Sequence, residues 1–139
     1  MMRWLYGQAV AARWFYAALA SAIIFYLSSL PIQVPGGIPN LDKVVHFVLY
    51  FGLGMSYFNV ATRGGIRTTA RACWIVFLLA VAYGISDEWH QAYVPGRTAD
   101  WQDVAADAVG AAAAAWLGWG LRFRSVRWGE PAGGTPPDR

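Results

Sequence analysis

Charge is what this sequence has least of. Only 14% of its 139 residues are Asp, Glu, Lys or Arg, against roughly 25% in typical soluble chains. A small domain has a large surface for its volume and must cover that surface with polar groups if it lies in water. Here 57% of residues are hydrophobic and 16% aromatic, so hydrocarbon is the natural solvent. Basic runs are also missing. None of the eleven Lys and Arg residues forms a stretch that would track a phosphate backbone, which excludes nucleic acid as a partner. The single cysteine, Cys73, excludes an internal disulfide framework and reads as a small helix-packing residue in an apolar run. The length suits one domain rather than two.

What the sequence does have is four apolar runs, at about 14–30, 44–61, 72–86 and 104–121. At 1.5 Å per residue these are roughly 22–27 Å long, close to a hydrocarbon core. The third is the shortest, and its helix is open to continuing through Trp89. Between the runs lie Pro31 to Asn40, rich in Pro and Gly, the charged turn Thr62 to Arg67, and Pro95-Gly96, which suits a type II turn. Asp100 and Asp103 follow where a helix N-terminus favours acids. The small triplet Ala20-Ser21-Ala22 lies in the middle of the first run, so that run reads as a retained span rather than a cleaved signal. The expected fold is all-α: a polytopic four-transmembrane-helix bundle over residues 14–121. An N-terminal segment (1–13) precedes it, and a basic, then Pro/Gly-rich tail (122–139) follows, disordered from Gly129 onward.

With both termini on one side, that side holds Arg3, Arg13, Arg63, Arg67, Arg71, Arg122, Arg124, Arg127 and Arg139, and the other only Lys43 and Arg97. The bias makes the arginine-rich side cytoplasmic and the expected location the bacterial cytoplasmic (inner) membrane. Six acids face the other way: Asp42, Asp87, Glu88, Asp100, Asp103 and Asp107.

Both histidines belong to this outer group. Lys43, His46, Tyr50, Gly54 and Tyr57 fall on one helix face, as do Gly84, Asp87, Glu88 and Gln91 if the third helix runs that far. Asp103, Asp107, Gly110, Ala114 and Gly118 form a third stripe. Ionisable groups in a span face the bundle interior, and small residues let helices approach closely, so the stripes point to a shared polar pocket. Candidate proton-moving groups are His46, Asp87, Glu88 and His90, since imidazole titrates near neutral pH. Candidate ligand contacts are Asp42, Lys43, Tyr50, Tyr83, Gln91, Arg97, Asp103 and Asp107. Three readings stay open: a structural brace of helix caps and ion pairs, a binding or catalytic pocket, and a metal site. The chain has no His-Glu-x-x-His helix, so spacing assigns no metal ligand. Ser28, Ser29 and Ser86 sit in no nucleophile motif, and no inverted repeat suggests transport. Six of the tryptophans lie near predicted membrane boundaries. Trp89, Tyr93 and Trp101 are further candidates for holding a sugar or lipid headgroup.

Several motifs in order resemble the VanZ-like family of bacterial membrane proteins. They are Ser28-Ser29-Leu30-Pro31, Asp42-Lys43-Val44-Val45-His46, Asp87-Glu88-Trp89-His90-Gln91 and Pro95-Gly96-Arg97, followed by Asp100 to Gly110. The resemblance covers about residues 21–121. It implies an integral membrane protein of the cell envelope, and the family takes its name from low-level resistance to the glycopeptide teicoplanin. Where the family commonly carries Asn, this chain carries Asp107, and a carboxylate there must be hydrated, paired or protonated. The leading expectation is an envelope protein that binds an amphiphilic or lipid-linked ligand at the outer leaflet. The alternatives are an intramembrane enzyme acting on an envelope lipid or glycolipid and a structural or adaptor subunit. Expected partners are membrane lipids and a lipid-linked or glycopeptide ligand, with a homo-oligomer left open. The sequence leaves the cofactor unknown.

Overall fold

Each apolar run becomes a helix longer than the run itself. The computed structural model describes residues 2–31, 39–62 and 69–127, with side chains from Val10 to Gly120. They form α1 (Met2–Ser28), α2 (Leu41–Ala61), α3 (Ala70–Gln91) and α4 (Trp101–Arg127), and the described residues contain no strand. Residues 2–13, expected to precede the first span, continue α1. The Pro/Gly-rich stretch 32–38, the arginine turn 63–68 and the tail from 128 lie outside the described residues.

Local signals account for the helix ends. Asn40 stands before α2 in the left-handed region (φ 60°), which Asn tolerates, and its carbonyl accepts the Val44 N–H at 3.2 Å. Thr69 caps α3 by accepting the Ala72 N–H at 3.1 Å. The expected turn after α3 is present: Arg97 N–H donates to Val94 O at 3.1 Å, and Gly96 takes φ 81°. Asp100 then precedes α4 and accepts the Gln102 N–H at 2.9 Å. This holds the half-buried Asp100 carboxyl below its ordinary range, with the Lys43 ammonium as the next cause.

Successive helices alternate in direction, so the end of α1, the start of α2, the end of α3 and the start of α4 meet at one end of the bundle. α2 packs most extensively against α4, and among the described residues α1 touches α2 and α3 but not α4. Small residues make the α2–α4 approach. A Cβ on Gly110 would collide with Phe47 O, one on Gly54 would lie 2.8 Å from Ala114 Cβ, and one on Gly118 would lie 2.6 Å from the Phe58 ring. Ile24, Tyr50, Leu53, Ala80 and Ala111 form the core.

The burial pattern is inverted relative to a soluble protein. Trp14, Phe25, Val48, Trp74, Leu78 and Trp116 are exposed, while Asp87, Glu88, Gln91, Asp103 and Asp107 are buried. That inversion is what hydrocarbon surroundings select. Among the described residues, three stretches are long and apolar enough to cross a membrane: Val10–Ser28, Leu41–Ala61 and Ala70–Gln91. α4 is not among them. Asp103 and Asp107 occupy its first two turns, and glycines lower its hydropathy further along.

Candidate functional site

At the end where the four helices meet, the chain's single lysine is the first organiser. Lys43, in the first turn of α2, donates to Asp42 Oδ2 at 3.0 Å, Asp100 Oδ2 at 2.9 Å and Asp103 Oδ1 at 2.9 Å. One ammonium thereby ties the start of α2 to the start of α4. Asp100 extends the link to α3, because its backbone N–H donates to Glu88 Oε2 at 2.8 Å.

His46 lies one helical turn deeper than Lys43, so it faces the same neighbours at a lower level. Its Nδ1 is 3.0 Å from Asp107 Oδ1. An ionised carboxylate only accepts, so Nδ1 carries the proton and Nε2 presents its lone pair. Nε2 faces two further carboxylates, with Asp103 Oδ2 at 3.9 Å and Glu88 Oε1 at 4.0 Å. Neither is at hydrogen-bonding distance. Asp107 is fully buried, and a Cβ on Gly84 would stand 2.6 Å from its Oδ2. Glycine at position 84 is what lets α3 close over this carboxylate. The pairing with His46 also meets the requirement that a carboxylate at position 107 raised.

α3 continues to Gln91, so Gly84, Asp87, Glu88 and Gln91 do share its inward face, and all four are buried. Gln91 Nε2 donates to Asp87 Oδ2 at 3.1 Å. Tyr50 lies a turn below His46, its ring parallel to the imidazole at 6.4 Å, and its buried hydroxyl has no hydrogen-bond partner among the described residues. Asp42, Lys43, His46, Tyr50, Asp87, Glu88, Gln91, Asp103 and Asp107 thus belong to one assembly.

Three sequence candidates make other contacts. His90 turns toward α1, where its ring stacks on Phe25 at 4.7 Å and its Nε2 lies 3.0 Å from Ser29 Oγ. The Ser29 hydroxyl spends its proton on Phe25 O at 2.6 Å, so His90 is the donor in that pair. Tyr83 donates to Ser21 O at 2.7 Å, joining α3 to α1. Arg97 reaches the end of α1 with Nη2 3.5 Å from Leu27 O. Ser28 and Ser86 bond to carbonyls of their own helices. Asp100, expected as an outer acid at a helix start but not as a ligand contact, connects three helices. Its spacing from Asp103 was the signal available. Trp89, Tyr93 and Trp101 stand exposed beside the cluster, with Trp89 Nε1 3.3 Å from Tyr93 OH.

The acids outnumber the bases. Among the described residues Asp42, Asp87, Glu88, Asp100, Asp103 and Asp107 meet Lys43 and one imidazole, while Arg97 reaches toward α1. Such an assembly can hold a cation, a protonated amine or a hydroxyl-rich headgroup. His46, oriented by Asp107, is its best-placed acid–base group.

The family model described as VanZ/LLP1 matches residues 8–122 of the chain. No curated protein and no solved structure matches. The chain belongs to the VanZ/LLP1 family.

Proposed function

From that membership we propose that the chain is a four-span protein of the bacterial cytoplasmic membrane. In this reading its outward-facing polar cluster receives the headgroup of an amphiphilic or lipid-linked envelope ligand. One observation carries the reading: an acid-rich assembly is buried at one end of a bundle whose flanks are apolar. Burying charge is costly, and an assembly that served only to hold helices together would balance its own charges. The excess of carboxylates favours a headgroup bearing amines or hydroxyls. Trp89, Tyr93 and Trp101 supply the amphipathic rings that favour a membrane–water boundary. Nine arginines fall on the side expected to be cytoplasmic against Lys43 and Arg97 on the cluster side, which supports placing the cluster outside. A contribution to teicoplanin resistance fits this reading as one consequence of binding an envelope amphiphile.

The test is saturable binding of amine-headed and sugar-headed amphiphiles to the protein in nanodiscs, read by tryptophan fluorescence. His46→Ala and Glu88→Ala should abolish it while the protein stays inserted. Unchanged binding in both variants contradicts the proposal.

The Asp107–His46 pair favours a second reading, an intramembrane enzyme with His46 as general base. The described serines do not supply its nucleophile, so the attacking group would be water or the substrate itself. Turnover of an envelope lipid that survives His46→Ala rules this out.

A further inference from the structure

We propose that His46, Asp87 and Glu88 bind a divalent cation of the Zn²⁺ or Mn²⁺ class inside the bundle, with Asp107 orienting the imidazole. One potential ligand atom from each of the three residues lies within 4.8 Å of the others. A crowd of acids would not be enough to define a site. The decisive feature is how each group is held.

Asp107 fixes the proton on Nδ1, so Nε2 is the nitrogen available as a ligand. The Asp100 N–H engages Glu88 Oε2. Glu88 Oε1 is left buried, without a hydrogen-bond partner, and 4.0 Å from Nε2. Gln91 holds the Asp87 carboxylate from the same helix. At this point in the bundle three ligand atoms, one from each residue, stand within 4.8 Å of one another, and Glu88 Oε1 among them is unpartnered. Lys43 does not relieve this, because its bonds go to Asp42, Asp100 and Asp103.

A cation at that point satisfies all of them. One imidazole with carboxylates suits Zn²⁺ or Mn²⁺ rather than the soft, thiol-loving metals. Neighbouring ligands on a tetrahedral Zn²⁺ stand roughly 3.3–3.5 Å apart for bonds of about 2.0–2.1 Å. The 4.0 Å separation reaches that range with a small side-chain rotation. The outer carboxylate–imidazole contact and the amide on Asp87 are the supports that metal-ligating side chains normally carry. The site does not depend on an amphiphile being bound, and the two proposals fail separately.

The experiment uses full-length protein in nanodiscs, stripped with chelator and titrated with Zn²⁺, Mn²⁺ and Co²⁺. The expected result is one ion per chain, a rise in melting temperature on loading, and visible Co²⁺ d–d bands typical of nitrogen and oxygen ligands. Glu88→Gln and His46→Gln should each weaken binding at least tenfold. Wild-type protein that binds no ion above background overturns the proposal, as does unchanged stoichiometry and affinity in both variants. If neither variant inserts, the wild-type Co²⁺ spectrum decides: nitrogen and oxygen bands support the site, and their absence overturns it.

Discussion

His46 is held by one close partner and watched by two distant ones, and that asymmetry sets what each substitution does. Asp107→Asn keeps an oxygen that can accept the Nδ1 proton, so the melting temperature should stay within a few degrees of wild type. Asp107→Ala leaves the buried Nδ1–H without its partner and should cost about 1–3 kcal/mol, measured by thermal unfolding in detergent. Gly84→Ala forces a methyl against Asp107 Oδ2. That substitution should destabilise by about 1–3 kcal/mol, and a neutral result would mean that α3 is free to shift outward. Much of this was legible in sequence. Helical spacing alone placed Lys43 and His46 on one face and Asp87, Glu88 and Gln91 on another. The partner of His90 was not legible, because two residues of rotation past Glu88 turn a side chain toward a different helix. Only the packing of α1 decides which helix that is.

At the scale of elements, the α2–α4 seam depends on missing side chains. Gly110→Ala drives a Cβ into the Phe47 carbonyl, and backbone cannot swing aside as a side chain can. Its cost should exceed about 2 kcal/mol, whereas Gly52→Ala and Gly120→Ala meet open space and should be near neutral in the same melts. Lys43→Met leaves Asp103, which is buried, without its ammonium and should cost about 1–3 kcal/mol, between the values for exposed and buried pairs. The apolar runs located all four helices but fell short at their ends. α3 was the clearest case: Asp87, Glu88 and Gln91 break its hydropathy yet continue its helix, because their polar groups find partners inside the bundle. Hydropathy records the cost of placing a group in lipid and cannot see such partners. α4 posed the same difficulty, with two buried aspartates along a helix that seats against α2.

For the whole molecule, orientation is the property that turns a polar cluster into an envelope site. With Cys73 replaced by Ser, a membrane-impermeant maleimide added to intact cells should label a Thr98→Cys variant. A Thr69→Cys variant should react only after lysis, and the reverse pattern would place the cluster in the cytoplasm. Binding and bracing also differ in their effect on global stability. A site kept for a ligand holds its groups at a cost, so neutralising one of them relieves the empty protein. The most direct measurement is the melting temperature of Glu88→Gln against wild type, both in nanodiscs and stripped with chelator, alongside amphiphile titration. A cluster kept for binding predicts a melting temperature equal to or above wild type and loss of saturable binding. A melting temperature several degrees lower, with binding unchanged, would contradict it and make the cluster a brace.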